Sequence, residues 1–224
     1  MPSRQDGPPK ADWVAAGLSA LAAGGIEAVK VERLAASLGV SKGPFYWRFR
    51  DRVELFEAII EFWKRDFTTG LIEQVCHFDD PRTRLIALAE LAVEPNAGSL
   101  DVAKTECALR AWAGQDPLPR AAVREVDDMR IGHLTAELKL LGAPEPLAEQ
   151  LSRGIYLALL GLYTVRQYTP ELADDQSYLT AVSIAIDAAE KADFPPPAGV
   201  GMRRRIDLPL TVVHETGRSS GRQP

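Results

Sequence analysis

The chain has 224 residues, of which 46% are hydrophobic and 25% are charged, and it carries a net charge of −5 at pH 7. This composition is ordinary for a globular protein and excludes a collagen, a disulfide scaffold and wholesale disorder. No uncharged apolar run reaches the roughly 18 residues of a membrane span, and the charged, proline-containing first residues do not resemble a secretory signal, so we expect a cytoplasmic protein.

The N-terminal elements are predicted to be short helices. A first apolar face begins at Trp13 and ends before Gly24, and a second covers residues 31–38. Ser41 is expected to cap a third short helix. A long apolar stripe with spacings of three and four then predicts a linking helix from about Arg52 to Cys76.

The rest of the chain also has helical periodicity, and strand alternation is nearly absent. We predict further helices at about residues 81–95, 100–113, 119–142, 147–168 and 175–192. Residues 193–224 are rich in Pro, Gly and Arg and are predicted to form a flexible tail. Cys76 and Cys107 are expected to be free buried thiols. The sequence therefore predicts an all-α fold.

The second and third helices have the features of a helix-turn-helix. They are joined by the residues LGVSKG, within which Gly39 allows a tight turn and Val40 fills the gap between the helices. Ala35 is small where the two helices cross. Residues 42–49 then take the position of a recognition helix.

The residue types of this segment suit contact with DNA. Tyr46 and Trp47 present amphipathic rings, while Phe45 and Phe49, four residues apart, are expected to face the core. Lys42 at the start of the helix favours phosphate oxygens. Gly43 leaves room for base edges, and the further positive charges come from Arg48 and Arg52.

The charge distribution agrees with this interpretation. Residues 1–52 contain eight Lys or Arg and five Asp or Glu, whereas residues 53–192 contain thirteen and twenty-three. A basic head on an acidic body indicates that a polyanion is met by the head. In the tail, the cluster Arg203–Arg205 is expected to be solvated, with contact to nucleic acid as the alternative.

The run VERLAASLGVSKGPFYWRFRDRVELFEAII resembles the DNA-binding region of the TetR/AcrR family of transcriptional regulators, over about residues 11–62. The resemblance implies a three-helix DNA-binding domain at residues 1–52, with its helix-turn-helix core at about 31–50. It implies a helical effector-binding and dimerisation domain at residues 53–192, ahead of the tail. It further implies a homodimer that binds a palindromic operator in double-stranded DNA, most simply as a repressor, and leaves it when a small-molecule effector binds.

The resemblance also assigns the DNA contacts position by position. Two residues depart from the family pattern: Pro44 stands where Ser or Thr is common, and Lys30 stands where a Thr often caps the second helix. The cap is therefore lost, and Lys30 is expected to contact a phosphate instead. The implied contact set is Lys30, Ser41, Lys42, Gly43, Tyr46, Trp47, Arg48 and Arg52.

The helix at about 147–168 is apolar on every side between Ile155 and Val165, which indicates a subunit interface. A fully buried central helix is the alternative. The resemblance implies that this helix and the one at 175–192 pair with their copies in a four-helix dimer bundle. The expected dimer contacts are Ile155, Leu159, Leu162 and Val182.

The resemblance places the effector pocket inside the helical body. Glu106 shares a helix face with Leu109, and a carboxylate on that face needs Arg110 or a ligand cation as its partner, unless the face is exposed. The candidate effector contacts are Trp63, Phe67, Glu106, Cys107, Arg110, Trp112, His133 and Tyr156.

Catalytic and metal-binding motifs are not found in the sequence. It contains no P-loop, dinucleotide fingerprint or nucleophile elbow, and its three histidines are scattered. The adjacent Asp127 and Asp128 are expected to be solvated. We therefore expect no enzyme, no cofactor, no metal and no membrane partner. One alternative function is a helical ligand carrier or adaptor that does not bind DNA, and another is an activator that stays on DNA with its ligand bound.

Overall fold

The computed structural model describes residues 7–191. A two-residue hairpin of β1 (Asn96–Ala97) and β2 (Leu100–Asp101) interrupts the helices, and single 3₁₀ turns cover Ile26–Ala28 and Pro170–Leu172. The all-α prediction is confirmed. The helices are α1 (Lys10–Gly24), α2 (Val31–Ser37), α3 (Gly43–Arg48), α4 (Arg52–Lys64), α5 (Gly70–Val75), α6 (Pro81–Val93), α7 (Val102–Ala113), α8 (Pro117–Leu140), α9 (Glu145–Tyr168) and α10 (Asp175–Lys191).

The predicted tail, residues 193–224 with the cluster Arg203–Arg205, lies outside the described residues. Within residues 7–191, none of the helices is long and apolar enough to cross a bilayer.

The turns of the N-terminal head follow the predicted glycines. Gly25 closes α1 with a positive φ of 66°, and Gly39 adopts a φ of 68° between α2 and α3, a region that favours glycine. The predicted cap at Ser41 is wrong. Lys42 occupies the N-cap position of α3, and no side chain caps the helix, because the backbone of Lys42 is already helical and Gly43 begins the hydrogen-bonded turn.

The linking helix is not uniform. Its first part, α4, is capped by Asp51, whose carboxylate accepts a hydrogen bond from the Glu54 backbone N–H at 2.9 Å. A π-helical turn then covers Arg65–Thr69 before α5 continues to Val75. Such turns widen the backbone locally and recur at functional sites. Cys76, just beyond α5, is exposed, which corrects the expectation of a buried thiol.

Two hydrophobic clusters hold the described chain together. The first includes Trp13, Phe45 and Trp63 and continues into α7 and α8 through Leu109 and Val126. The second joins α6, α8, α9 and α10. Apolar packing of the first cluster extends across the predicted domain boundary at residue 52/53, which lies one residue into α4.

The second cluster contains all of the residues that were expected at the dimer interface. Each is at most 8% exposed within the single chain, because it lies on the side of α9 or α10 that packs against the neighbouring helices. The structure thus corrects this expectation. The residues that lie in the interior of the chain instead are Ile155, Leu159, Leu162 and Val182.

Candidate DNA-binding surface and effector cavity

The recognition helix α3 is fixed by aromatic packing on its inner side. Phe45 and Phe49 are buried, with their ring centroids 5.2 Å apart, and Trp13 of α1 meets the Phe45 ring edge-on at 5.3 Å. Two of the residues between these anchors point outward. Tyr46 is 60% exposed and Trp47 is 69% exposed, so this short helix presents two large aromatic side chains to solvent.

The lysines expected to meet DNA lie on the same side of the head. Lys42 places its Nζ 2.8 Å from Oε1 of Glu32 on α2, and both side chains are more than half exposed. The hydrogen bond from Lys42 lowers the pKa of the Glu32 carboxyl. Lys30 is exposed at the N-cap of α2 without capping it. Ser41 and Gly43 are exposed beside Lys42.

The two arginines expected to meet DNA donate hydrogen bonds to backbone carbonyls of the head. Arg48 is half-buried, and its Nε donates to the Pro8 carbonyl at 3.2 Å. Arg52 donates from Nε to the Val29 carbonyl at 2.9 Å and from Nη2 to the Ile26 carbonyl at 3.1 Å. Its guanidinium also lies 4.7 Å above the Phe56 ring. Arg52 therefore connects α4 to the 3₁₀ turn that precedes α2, in addition to its predicted contact with DNA.

A cavity of about 260 Å³ lies in the body, between the π-helical turn, α5, α6, the hairpin and helices α7 to α10. Its wall is mainly apolar and includes Phe67, Leu71, Leu85, Leu88, Leu134, Ile155, Leu159 and Val182. Half of the predicted effector contacts line it, namely Phe67, Glu106, His133 and Tyr156. The others do not reach the wall, namely Trp63, Cys107, Arg110 and Trp112.

Two of the residues outside the wall have clear local partners. Trp112 packs against the Phe56 ring at 5.0 Å, and its Nε1 donates to Asp116 at 3.1 Å. Cys107 is half-buried and interacts with the side chains of Gln167 and Thr164, and burial raises the pKa of its thiol.

Glu106 is the buried centre of a polar cluster at one end of the cavity. Its Oε1 accepts from Arg110 Nε at 3.0 Å, Arg110 Nη2 at 2.9 Å and Arg130 Nη1 at 2.9 Å. Its Oε2 accepts from Trp63 Nε1 at 2.9 Å and Arg130 Nη2 at 3.3 Å. Burial raises the pKa of Glu106, but the two guanidinium groups outweigh this effect and hold it below its ordinary value.

Arg130 on α8 was missed by the sequence analysis. Its Nε donates to Thr68 Oγ1 at 2.9 Å, its Nη2 donates to the Phe67 carbonyl at 3.0 Å, and its Nη1 lies 3.4 Å from the Tyr156 hydroxyl. Arg130 follows the buried Val126 by four residues, so helical periodicity alone places it on the inner face of α8. Its side chain connects Glu106 to the π-helical turn of the linking helix.

Asp127 is not solvated in the way that was expected. It accepts hydrogen bonds from Arg110 Nη2 at 2.7 Å and from the Tyr156 hydroxyl at 2.6 Å. Burial raises the pKa of Tyr156 to about 12, so its hydroxyl remains a donor at neutral pH. Two carboxylates and two guanidinium groups thus share this end of the body.

The cavity wall also contains polar groups without a partner among the described residues. His133 Nε2 is buried and makes no hydrogen bond. Burial lowers the pKa of His133, which favours a neutral imidazole at pH 7. The hydroxyl of Tyr178 makes no hydrogen bond within residues 7–191 either, whereas that of Tyr163 donates to the Ala92 carbonyl at 2.6 Å.

The outer faces of α9 and α10 leave apolar and small side chains uncovered. Leu157 is 66% exposed between the exposed Gly154 and Gly161, and on α10 Ile184 is 64% exposed next to the exposed Ala181. A face of this kind, with few charges and little side-chain bulk, suits close packing against another helix pair.

Comparison with known proteins agrees with this geometry. Residues 14–59 match the profile of bacterial regulatory proteins of the tetR family, which confirms the resemblance of the head. No curated protein sequence matches the chain.

Several solved structures share the fold. A transcriptional regulator from Rhodococcus sp. Rha1 is 21% identical with a TM-score of 0.68, over 84% of this chain and 100% of that chain. A TetR transcription regulator from Haloarcula marismortui ATCC 43049 is 21% identical with a TM-score of 0.63, over 81% and 96% of the two chains. A protein from Saccharomonospora viridis, described as a transcriptional regulator in complex with choline, is 15% identical with a TM-score of 0.67, over 80% and 95%.

Proposed function

We propose that this chain is a repressor that binds a palindromic operator as a homodimer and leaves it when a small molecule enters the body. The proposal starts from two similarities: the head matches the tetR family of bacterial regulatory proteins, and the described residues have the fold of TetR-family regulators. The observation that carries the proposal is the exposed pair Tyr46 and Trp47 on a short helix that two buried phenylalanines hold in place. Rings with one polar tip, left in water, are suited to sugar and phosphate contacts.

The charges around this pair support the same surface. Lys30 and Lys42 are exposed on the head, and neither donates to a backbone carbonyl within its described residues, in contrast to Arg48 and Arg52. Glu32 holds Lys42 in the free protein, and phosphate contact requires that this exposed pair opens. Because water screens an exposed ion pair and leaves it with little net stabilisation, Lys42 can readily exchange the carboxylate for a phosphate.

The homodimer is supported by the uncovered face of α9 and α10. Leu157 and Ile184 lie on this face, and small residues around them allow the helices of a second copy to approach closely. These residues replace the buried ones that the sequence suggested. Two recognition helices of such a dimer fit successive major grooves when they are about 34 Å apart.

Control by an effector is supported by the position of the cavity against the linking helix. Phe67 and Thr68 of the π-helical turn line the cavity, and Arg130 binds both of them. A molecule that binds one arrangement of this turn more tightly than another favours that arrangement, and α4 carries the change to the head. The size of the population shift is limited by the difference between the affinities of the molecule for the two arrangements. The relative from Saccharomonospora viridis, which is bound to choline, supports a small-molecule effector for this fold.

The hairpin offers a second connection between the cavity and the head. Asn96 and Ala97 line the cavity, while Leu100 at the other strand is buried in the first hydrophobic cluster together with Trp13 of α1. A displacement of β1 is therefore passed to α1 through packed side chains rather than through solvent.

The test is binding of the full chain to the DNA upstream of its own gene, measured by fluorescence anisotropy across a salt series. We expect selective binding. The slope of log association constant against log salt concentration should become more negative by about 0.9 for each phosphate contacted. Tyr46→Ala and Trp47→Ala are expected to weaken binding at least tenfold. Leu140→Ala, which removes an equally exposed apolar side chain from the end of α8, serves as the control and is expected to leave binding unchanged.

The outcome that favours the alternative is equally clear. If binding is absent both for the upstream DNA and for duplexes selected from a random pool, the head does not read DNA and the chain is a ligand carrier or adaptor. If the two head variants bind as tightly as Leu140→Ala, the surface assigned to DNA is wrong.

A further inference from the structure

The charged groups at the closed end of the cavity are already fully paired. Glu106 accepts five hydrogen bonds from Trp63, Arg110 and Arg130. Arg130 uses all of its N–H groups, on Glu106, Thr68, the Phe67 carbonyl and the Tyr156 hydroxyl. A guanidinium has five N–H donors, so none is left for a ligand carboxylate or phosphate.

The same pairing removes the site for a cation. Both oxygens of Glu106 are occupied by guanidinium and indole donors, and the side chain is 1% exposed. A ligand ammonium would have to displace an arginine from a buried carboxylate and leave that arginine without its partner. Breaking a buried charge pair in this way costs about 3–5 kcal/mol.

The remaining charged side chains of the wall are close to solvent. Asp66 is paired with Arg65 at 2.6 Å and is 40% exposed, and Glu94 is exposed at the end of α6. Water screens these carboxylates, so they give a bound ion little stabilisation. The interior of the cavity is consequently apolar and electrically balanced.

One group of the wall is buried without a hydrogen-bond partner. His133 Nε2 is shielded from solvent, and a buried polar atom without a partner costs about 1–3 kcal/mol. The hydroxyl of Tyr178, another residue of the wall, is also unpartnered within the described chain. These two groups can satisfy an uncharged ligand group that both donates and accepts, such as a hydroxyl.

We propose that the cavity binds an uncharged, mainly apolar molecule that carries a hydroxyl group bonded to His133. The inference deepens the proposed function, since it names the chemical class of the effector of that same cavity. The cavity volume of about 260 Å³ exceeds that of an apolar cavity of about 150 Å³ that binds benzene, and the cavity therefore fits a small ring with a short chain.

The test compares three probes of nearly equal shape: 4-phenylbutan-1-ol, 4-phenylbutanoate and 4-phenylbutylammonium. Binding of each to the full chain is measured without DNA, at pH 7.5, by isothermal titration calorimetry. We expect the alcohol to bind at least about tenfold more tightly than either ion, a difference of about 1.4 kcal/mol. Equal or tighter binding of an ion, or no binding of any of the three at millimolar concentration, would overturn the proposal.

A histidine variant tests the hydroxyl contact. His133→Leu is expected to weaken binding of the alcohol about fivefold, the effect of losing one neutral hydrogen bond, and to leave binding of butylbenzene unchanged. His133→Gln keeps a hydrogen-bonding group there and is expected to restore most of the affinity. His77→Leu, an exposed histidine that does not line the cavity, is the matched control. Thermal melts verify that each variant is folded.

The two proposals fail separately. If the alcohol binds with the expected preference but does not release the operator in the anisotropy assay, the effector role is wrong and the ligand class stands. If an ion is preferred, the ligand class is wrong even when the chain binds its operator. If His133→Leu affects the alcohol and butylbenzene equally, His133 shapes the cavity without bonding to the hydroxyl, and that part of the proposal is overturned.

Discussion

Replacement of Arg130 by Met is the sharpest test of the buried polar cluster. Met fills a similar elongated space on the inner face of α8 but makes none of the hydrogen bonds of the guanidinium. Glu106, which is 1% exposed, then keeps Arg110 and Trp63 as donors and loses one of its two guanidinium partners. Thr68 and the Phe67 carbonyl lose their donor at the same time.

The expected cost follows from this geometry. Removing one partner of a buried ion pair destabilises a protein by about 3–5 kcal/mol. Because Glu106 retains other donors and the Arg130 side chain is 14% exposed, we expect the lower end, about 3 kcal/mol in the free energy of unfolding. For a chain of this size each kcal/mol lowers Tm by about 2–4 °C, so Tm should fall by about 6–12 °C.

The assay is urea unfolding followed by circular dichroism, with a thermal melt of the same samples. Arg124→Met, at an exposed arginine of the same helix, is the control and is expected to stay within about 0.5 kcal/mol of the parent. The double variant Glu106→Leu/Arg130→Met removes both charges together and is expected to be more stable than Arg130→Met by at least about 1 kcal/mol. A loss below about 1 kcal/mol for Arg130→Met, or losses in the double variant that simply add, would refute the reasoning.

The other predictions concern the head, the outer face and the response to acid. Glu32→Gln frees Lys42 and removes a negative charge beside the DNA, so operator affinity measured by anisotropy should rise about two- to fivefold at low salt, with no gain at high salt. Leu157→Asp places a charge in the proposed dimer face and should convert dimers to monomers in sedimentation, whereas Leu140→Asp should not. Because the folded pKa of Glu106 lies below 4.5, this carboxylate contributes stability above pH 4.5 that is lost as pH falls through its folded pKa. The urea midpoint should therefore decline less steeply in acid for Glu106→Gln than for the parent.

Each of these expectations has a contradicting result. Unchanged affinity in Glu32→Gln at every salt concentration would show that Lys42 does not meet DNA. Dimers that persist in Leu157→Asp would place the subunit interface elsewhere. Identical acid limbs for Glu106→Gln and the parent would mean that the two guanidinium groups do not hold Glu106 ionised in the folded chain.

The organisation of the head can be derived from the sequence, because the relevant signals there are local. Phe45 and Phe49 lie four residues apart and face inward, so the intervening Tyr46 and Trp47 must face outward on a helix of this period. Gly39 marks a turn because its positive φ is unfavourable for other residues. The sequence contains no such signal for the π-helical turn or for the N-cap position of Lys42, since each arises from how neighbouring segments meet.

The contacts of the apolar and charged side chains of the body depend on how its helices pack, which the sequence alone does not reveal. Periodicity shows that Ile155 and Leu159 share an apolar face of α9, but it cannot show whether that face meets a second chain or a cavity of the same chain. The pairing of Glu106 with Arg130 spans 24 residues of sequence and exists because α7 and α8 pack side by side. Spacing along one helix determines which side chains share a face, and the packing of several helices determines the partner that each face meets.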